Sequence, residues 1–168
     1  QAVEGRAALT GPSFYRSRSL WLDQLADDPL VPRPALPGPL EVDVAVVGAG
    51  YTGLWTAYYL RRADPGLRVA VLEREVAGFG ASGRNGGWCS AFIAMDHERL
   101  ARRAGRGATI ALQRAMFDTV DEVGRVVDRE GIDCHYVKGG ALQVAASPVQ
   151  LARLEAGIRH ARAWAMGE

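Results

Sequence analysis

The sequence is poor in the residues that build metal centres and disulfide frameworks, with two cysteines and three histidines in 168 residues. Cys89 and Cys134 show no CxxC spacing and no cluster of histidines around them. A zinc site or a disulfide scaffold is therefore not expected, and a reducing cytoplasm is the natural setting. A charge excess is missing too: 20 Lys and Arg stand against 19 Asp and Glu. That balance gives no electrostatic basis for nucleic acid or an anionic membrane as partner. No apolar run approaches the roughly 18 residues of a membrane-spanning helix. Residues 1–10 lack the basic-then-apolar layout of a signal peptide, while Gln1 in place of Met leaves room for upstream residues, a removed leader included. No internal repeat is seen. What remains is a globular profile, 48% hydrophobic and 23% charged, of a length that supports one ordinary core.

Residues 1–40 read as an N-terminal arm. Ser13-Phe14-Tyr15 and Leu20-Trp21-Leu22 carry its apolar side chains, and Ser19 is placed to cap a short helix running to about Leu25. Five prolines between Pro29 and Pro39 predict an extended strap without regular hydrogen bonding. The run Val42-Asp43-Val44-Ala45-Val46-Val47, ended by glycine, fits a central parallel strand covered on both faces. Tyr51 to Ala63 has helical spacing and ends at Asp64-Pro65-Gly66. Arg68 to Leu72 is a second apolar strand, closed by Glu73. Strand, helix and strand fit within about 32 residues, the size of a βαβ unit.

Residues 74–92 are irregular and glycine-rich. A short helix is predicted from Asp96 to Ala104 and a long one from Thr109 to Glu130, with Leu112, Met116, Val120, Val123 and Val127 as its apolar stripe. Gly131 stops it. Tyr136-Val137 and Ala141-Leu142-Gln143-Val144 suggest a hairpin around Gly139-Gly140. Ser147-Pro148-Val149-Gln150 has the form of a capping box. The helix it opens carries Leu151, Leu154, Ile158, Ala161 and Ala165 on one face.

The chemistry is concentrated in Gly48-Ala49-Gly50-Tyr51-Thr52-Gly53, a GxGxxG between a buried-type strand and a helix. Gly48 permits the tight turn, Gly50 lets a pyrophosphate approach the backbone, and Gly53 lets helix and strand pack closely. The phosphates then meet the free N–H groups and the positive end of the helix. Glu73, 20 residues beyond Gly53, suits the two ribose hydroxyls of an adenosine and repels a 2′-phosphate. This fingerprint leaves FAD and NAD both open. The following loop, Gly78-Phe79-Gly80-Ala81-Ser82-Gly83-Arg84-Asn85-Gly86-Gly87, favours an extended cofactor, since its hydroxyl, amide and guanidinium suit phosphate and ring contacts. An exposed flexible loop is the competing reading.

On these residues the sequence resembles the D-amino-acid oxidase-like superfamily of FAD-dependent amine and amino-acid oxidoreductases, and within it the γ-glutamylputrescine oxidoreductase group, related to glycine and sarcosine oxidases. The match runs through Val44 to Leu54, Val71-Leu72-Glu73 and Gly78 to Gly87. The Ser-Phe-Tyr arm, the proline strap and Gly139-Gly140-Ala141-Leu142 also look like that group. Ala81-Ser82-Gly83-Arg84-Asn85-Gly86-Gly87 is its most specific part. The resemblance implies an α/β fold with a Rossmann-like FAD-binding βαβ unit. Residues 41–131 would form the N-terminal part of the FAD-binding domain, and 132–168 the beginning of a mixed substrate domain. It also implies that Gly48, Ala49, Gly50, Tyr51, Thr52 and Gly53 hold the pyrophosphate, that Glu73 holds the adenosine ribose and that Arg74 lies along the adenine. Gly80, Ala81, Ser82 and Arg84 would face the phosphates or ribityl chain, and Asn85, Gly86 and Gly87 the isoalloxazine. The implied reaction is hydride removal from an amine-bearing carbon, with a small amine or amino acid as substrate. Members of that family are much longer than this chain. The other strands of the sheet, which is incomplete here, and most of the substrate domain are expected from further sequence, and the chain reads as a fragment, a truncated product or a piece of a larger protein.

Competing readings are an NAD-dependent dehydrogenase, which shares the βαβ unit but not the glycine loop, and a non-catalytic nucleotide-binding fragment. His97, His135 and His160 are read as surface or structural residues, without a Cys or carboxylate at ligand spacing. Cys89 is read as a small buried residue, with no neighbouring base to make a thiolate. Arg99, Arg102, Arg103 and Arg106 read as a solvated helix face, and Trp21, Trp55 and Trp164 as core or contact residues. No catalytic acid or base is named.

Overall fold

The computed structural model describes residues 11–25 and 27–166. Of the expected arm, residues 1–10 and 26 lie outside the described residues. The chain divides into two compact units, Gln1–Gly87 and Trp88–Glu168.

In the first unit, the arm forms two short helices, α1 (Pro12–Arg16) and α2 (Leu20–Asp23). Ser19 caps α2 as the sequence suggests, its side chain accepting from the Leu22 N–H. Residues 29–40 then run without helix or strand, as five pyrrolidine rings with no N–H require. Strand β1 (Val44–Val47), helix α3 (Tyr51–Ala63) and strand β2 (Val69–Leu72) follow. The strands pair in parallel, Val44 opposite Val69 and Val47 opposite Leu72. Helix α3 ends where Asp64 accepts the Gly66 N–H through its carboxylate at 2.8 Å, which turns the chain toward β2. Among the described residues the sheet has two strands.

The expectation that β1 is covered on both faces is not met: Val47 is 86% exposed. One helix, α3, packs on the two strands, and a single helix covers one face of a sheet. The best-buried cluster of this unit lies elsewhere. Tyr15, Leu22, Leu30 and Val76 form it, with Phe14 and Phe79 against them. The arm aromatics thus find their surface on the turn after β2.

Asp43 and Arg68 close the mouth of the strand pair. The Arg68 guanidinium and its backbone N–H both donate to the Asp43 carboxylate, at 2.9 and 2.8 Å. These bonds hold the Asp43 pKa down to about 2 from an ordinary 3.8. A carboxyl depressed on folding stabilises the fold above its unfolded pKa, and the contribution fades as pH falls through the folded value. Acid titration of urea midpoints should therefore show a decline between about pH 4 and 2 that is smaller in Asp43→Asn. An identical acid limb in the variant would remove this pair from the account.

The second unit contains α4 (His97–Ala104), α5 (Arg106–Glu130) and α6 (Pro148–Ala163). Asp96 caps α4, accepting the Arg99 N–H, and Gly131 ends α5 in the left-handed conformation at φ 62°. Helix α5 begins three residues before the predicted Thr109. Ser147 accepts the Gln150 N–H, and the Gln150 side chain accepts the Ala146 N–H, so the capping box closes one residue upstream of its usual return bond. The expected apolar face of α6 is only partly used, since Leu151 and Ile158 are each 52% exposed.

Two sequence readings need correction here, and a third gains detail. The hairpin predicted at Tyr136–Val144 is absent: the described structure assigns no strand there. The segment is held by side chains instead. The Tyr136 hydroxyl donates to the Val120 carbonyl at 2.7 Å, Lys138 pairs with Asp121, and the Tyr136 ring occupies the space where Gly124 lacks a Cβ. Val137 and Leu142 remain exposed. A strand forms only where a second one meets its N–H and C=O groups, and alternation of side chains cannot supply it. Cys89, read as buried, is exposed; partial desolvation raises its thiol pKa, which disfavours a thiolate. The histidines are surface or structural residues as read, and two of them share a hydrogen-bonded row. His97 Nε2 lies 3.1 Å from Gln113 Oε1, His160 Nε2 lies 3.2 Å from His97 Nδ1, and Glu98 accepts the Trp164 indole N–H. Spacings of 16 and 63 residues hide such partners from a linear reading.

Candidate functional site

The site grows from the turn after β1. Gly48 has φ 97°, a conformation open to glycine at no steric cost, and its N–H donates to the Leu72 carbonyl at 2.7 Å. Gly50 is the N-cap of α3 and offers no side chain to the helix, so the first N–H groups of α3 lack intrahelical partners. Gly53 is where helix and turn touch: a Cβ there would lie 2.0 Å from the Gly48 carbonyl oxygen.

Glu73, just beyond β2, reaches this turn. Its Oε2 accepts the Ala49 N–H at 2.8 Å, and its Oε1 accepts the Glu75 N–H at 3.0 Å. The Ala49 bond first, then the Glu75 bond, hold its pKa below the ordinary carboxylate value. The carboxylate stays charged beside the positive end of α3.

The glycine loop returns to the same place. The Gly78 N–H donates to the Ala49 carbonyl at 2.9 Å. Gly80 begins a single 3₁₀ turn, Ala81–Gly83. Its Ser82 Oγ accepts the Tyr51 N–H at 2.9 Å, filling one of the orphan positions of α3 and lying where a Cβ on Gly50 would meet it. Asn85 is the hub of the loop. Its amide donates to the Ser82 carbonyl (2.7 Å), the Ala81 carbonyl (3.2 Å) and the Tyr51 hydroxyl (3.3 Å), and its Oδ1 accepts the Gly87 N–H (2.7 Å).

Of the residues singled out from sequence, Gly48, Ala49, Gly50, Tyr51, Gly53, Glu73, Gly80, Ala81, Ser82 and Asn85 are brought together in one continuous bonded patch. Thr52 is exposed on the first turn of α3, and Gly86 faces open space. Arg74 points to Glu75, at 3.2 Å, with its side chain 80% exposed. The Arg84 guanidinium lies over the Phe79 ring, 4.2 Å from its centroid. Gly87 meets an unexpected neighbour, the ring of Trp21. Sequence reading missed Trp21 and Tyr15 as neighbours of the loop, because each meets its partner about 60 residues away.

The arrangement offers a turn without side chains, a helix amino end and an acid beside it. A helix amino end carries the charge that favours an anion, and a carboxylate accepts from hydroxyl groups. Among the described residues no group of His, Cys, Asp and Glu suits a metal ion, and no helix is long and apolar enough to cross a membrane.

Comparisons with known proteins agree with that chemistry. The family described as FAD dependent oxidoreductase (DAO) matches residues 43–168. The γ-glutamylputrescine oxidoreductase of Escherichia coli (strain K12) is 42% identical over 113 residues, 67% of this chain and 26% of the relative. A probable oxidoreductase OrdL of Haemophilus influenzae is 34% identical over 99 residues, 59% of this chain and 22% of the relative. Another probable oxidoreductase OrdL, of Rhizobium meliloti, is 48% identical over 110 residues, 63% and 24%. The chain spans about a quarter of the length of these curated relatives. No solved structure matches it significantly. The glycine turn, the acid and the family match together place the chain in the DAO family of FAD-dependent oxidoreductases.

Proposed function

We propose that the protein supplies the FAD-holding end of an oxidoreductase that oxidises the C–N bond of a small amine or amino acid. The observation that carries this reading is the convergence of Glu73 and Ser82 on the Ala49 and Tyr51 N–H groups, at one helix amino end. In this reading Gly48 to Gly53 hold the pyrophosphate and Glu73 the adenosine ribose. Arg74 lies on the adenine side, Gly80, Ala81, Ser82 and Arg84 follow the phosphates and ribityl chain, and Asn85, Gly86 and Gly87 face the isoalloxazine. A flavin held by these residues would supply the hydride acceptor for oxidation of an amine-bearing carbon to an imine, which water would hydrolyse.

The protein's own part is positioning. Helix α3 presents N–H groups to the diphosphate, and Ser82 can turn its hydroxyl from the Tyr51 N–H to a phosphate oxygen within the same patch. The amine class follows from the named activity of the Escherichia coli relative. Residues 41–131 are read as the start of the FAD-binding domain, with 1–40 as its arm, and 132–168 as the opening of a substrate domain. A cytoplasmic setting is supported by two cysteines that are both free thiols.

The test is direct. Purified protein should take up FAD stoichiometrically and show a flavin absorption spectrum, with an anaerobic amine bleaching the oxidised band when the remainder of the enzyme is present. Uptake of NAD in place of FAD would overturn the cofactor assignment. An FAD-loaded enzyme that no primary or secondary amine bleaches would overturn the substrate class.

A further inference from the structure

We infer that Trp21, on the N-terminal arm, is a positioning residue for the cofactor loop, holding Asn85 to Gly87 in shape through one hydrogen bond and one ring contact. This rests on the FAD reading above and adds to it the N-terminal arm, which lies outside the βαβ unit.

The indole N–H of Trp21 donates to the Asn85 carbonyl at 2.7 Å. Its ring covers Gly87, so closely that a Cβ there would lie 2.7 Å from Trp21 Cζ2 and 3.0 Å from Cη2. Gly87 has φ 72°, a conformation that other residues rarely adopt, so the ring and the backbone turn are matched to each other. Asn85 then relays the contact inward, since its side chain bonds Ser82, Ala81, Gly87 and the Tyr51 hydroxyl. Trp21 is 41% exposed. A large aromatic kept half in water for core packing alone contributes little, whereas a ring with its N–H bonded and its face on a glycine fixes geometry.

The arm is itself held against the turn that carries Glu73. Tyr15 is fully buried and its hydroxyl donates to Glu75 Oε2 at 2.8 Å. Burial, then the Glu75 carboxylate, push its pKa up to about 12, so it remains a donor at any working pH. The Glu75 N–H in turn donates to Glu73. Phe14 and Tyr15 pack on Phe79, with ring centroids 6.1 and 5.6 Å apart. One arm therefore braces the Glu73 turn through Tyr15 and the loop through Trp21. A loop rich in glycine has the most conformational freedom to lose on binding a ligand, and such a brace removes part of that loss beforehand.

The experiment compares Trp21→Phe, which keeps an aromatic ring but loses the N–H and part of the contact on Gly87, with Trp21→Ala. Three readouts are taken: FAD affinity by fluorescence titration, the visible circular dichroism of bound flavin, and tryptic cleavage after Arg84 relative to cleavage after Arg61 in α3. The expected result is about fivefold weaker FAD binding in Trp21→Phe, the scale of one hydrogen bond, and more than tenfold in Trp21→Ala. Cleavage after Arg84 should rise relative to Arg61 in both, and the flavin dichroic bands should change. General destabilisation raises both cleavages together and leaves the spectrum of the loaded fraction unaltered, which would overturn the inference. So would wild-type affinity in both variants. If the wild type binds no FAD, the cofactor reading fails, and the cleavage ratio alone decides the brace: an unchanged ratio overturns it.

Discussion

Gly53→Ala is expected to lower the unfolding free energy by about 3 kcal/mol, the upper end of ordinary overpacking, and to abolish FAD uptake. An alanine in a helix is normally favoured over glycine by up to about 1 kcal/mol. Here the added methyl would sit 2.0 Å from the Gly48 carbonyl and 3.2 Å from Val46 Cγ1. The first is backbone and cannot swing aside, so the turn or the helix must move. Either movement displaces the N–H groups proposed to receive the diphosphate. Gly157, inside α6, has nothing within 4 Å of its missing Cβ, and Gly157→Ala should stabilise the chain by up to about 1 kcal/mol. The opposite signs separate a contact effect from a general property of glycine. Urea unfolding of both variants, with FAD titration of each, measures them. Equal stabilities for Gly53→Ala and the wild type would mean that the close approach of β1 and α3 is wrong.

Glu73→Gln is expected to weaken FAD binding about tenfold at neutral pH, a change of about 1.4 kcal/mol. The carboxylate accepts two backbone N–H groups, from Ala49 and Glu75. A glutamine keeps one acceptor oxygen and turns an NH₂ toward the other donor. The side chain is exposed, and water replaces part of what is lost, so a larger effect is not expected. Linkage adds a second signature. Folding depresses the Glu73 pKa below its ordinary value of 4.5, so its contribution is complete above about that pH and is lost as the solution becomes more acidic. The unfolding free energy should fall on the acid side, and that portion of the fall should vanish in Glu73→Gln. An unchanged affinity at neutral pH would remove Glu73 from the site.

Local signals were read well because they are settled by neighbouring residues. The limits of α3, the Ser19 and Ser147 caps and the stop at Gly131 each depend on groups within about one helical turn. The glycine turn and Glu73 were legible for a related reason: β1, α3 and β2 bring residues 20 apart to one sheet edge whenever a parallel pair forms. The misreadings fall where a distant partner decides. Tyr136 to Val144 alternates like a pair of strands, yet its anchors are Val120 and Asp121 on α5. His97 and His160 are structural as read, but their shared hydrogen-bonded row was not visible in the sequence. Cys89 has the chemistry of a buried side chain and an exposed position.

The linear order of residues by itself determined the βαβ unit, the helix ends and the meeting of the glycine turn with Glu73, because each follows from backbone geometry and from contacts within one supersecondary unit. Only the tertiary structure decided that the arm meets the glycine loop and the turn after β2. Trp21 and Asn85 lie 64 residues apart, and no periodicity or propensity encodes which two surfaces a folded chain will press together. Burial of Tyr15 against Val76 and Phe79 does that, through packing that depends on the whole shape of the unit.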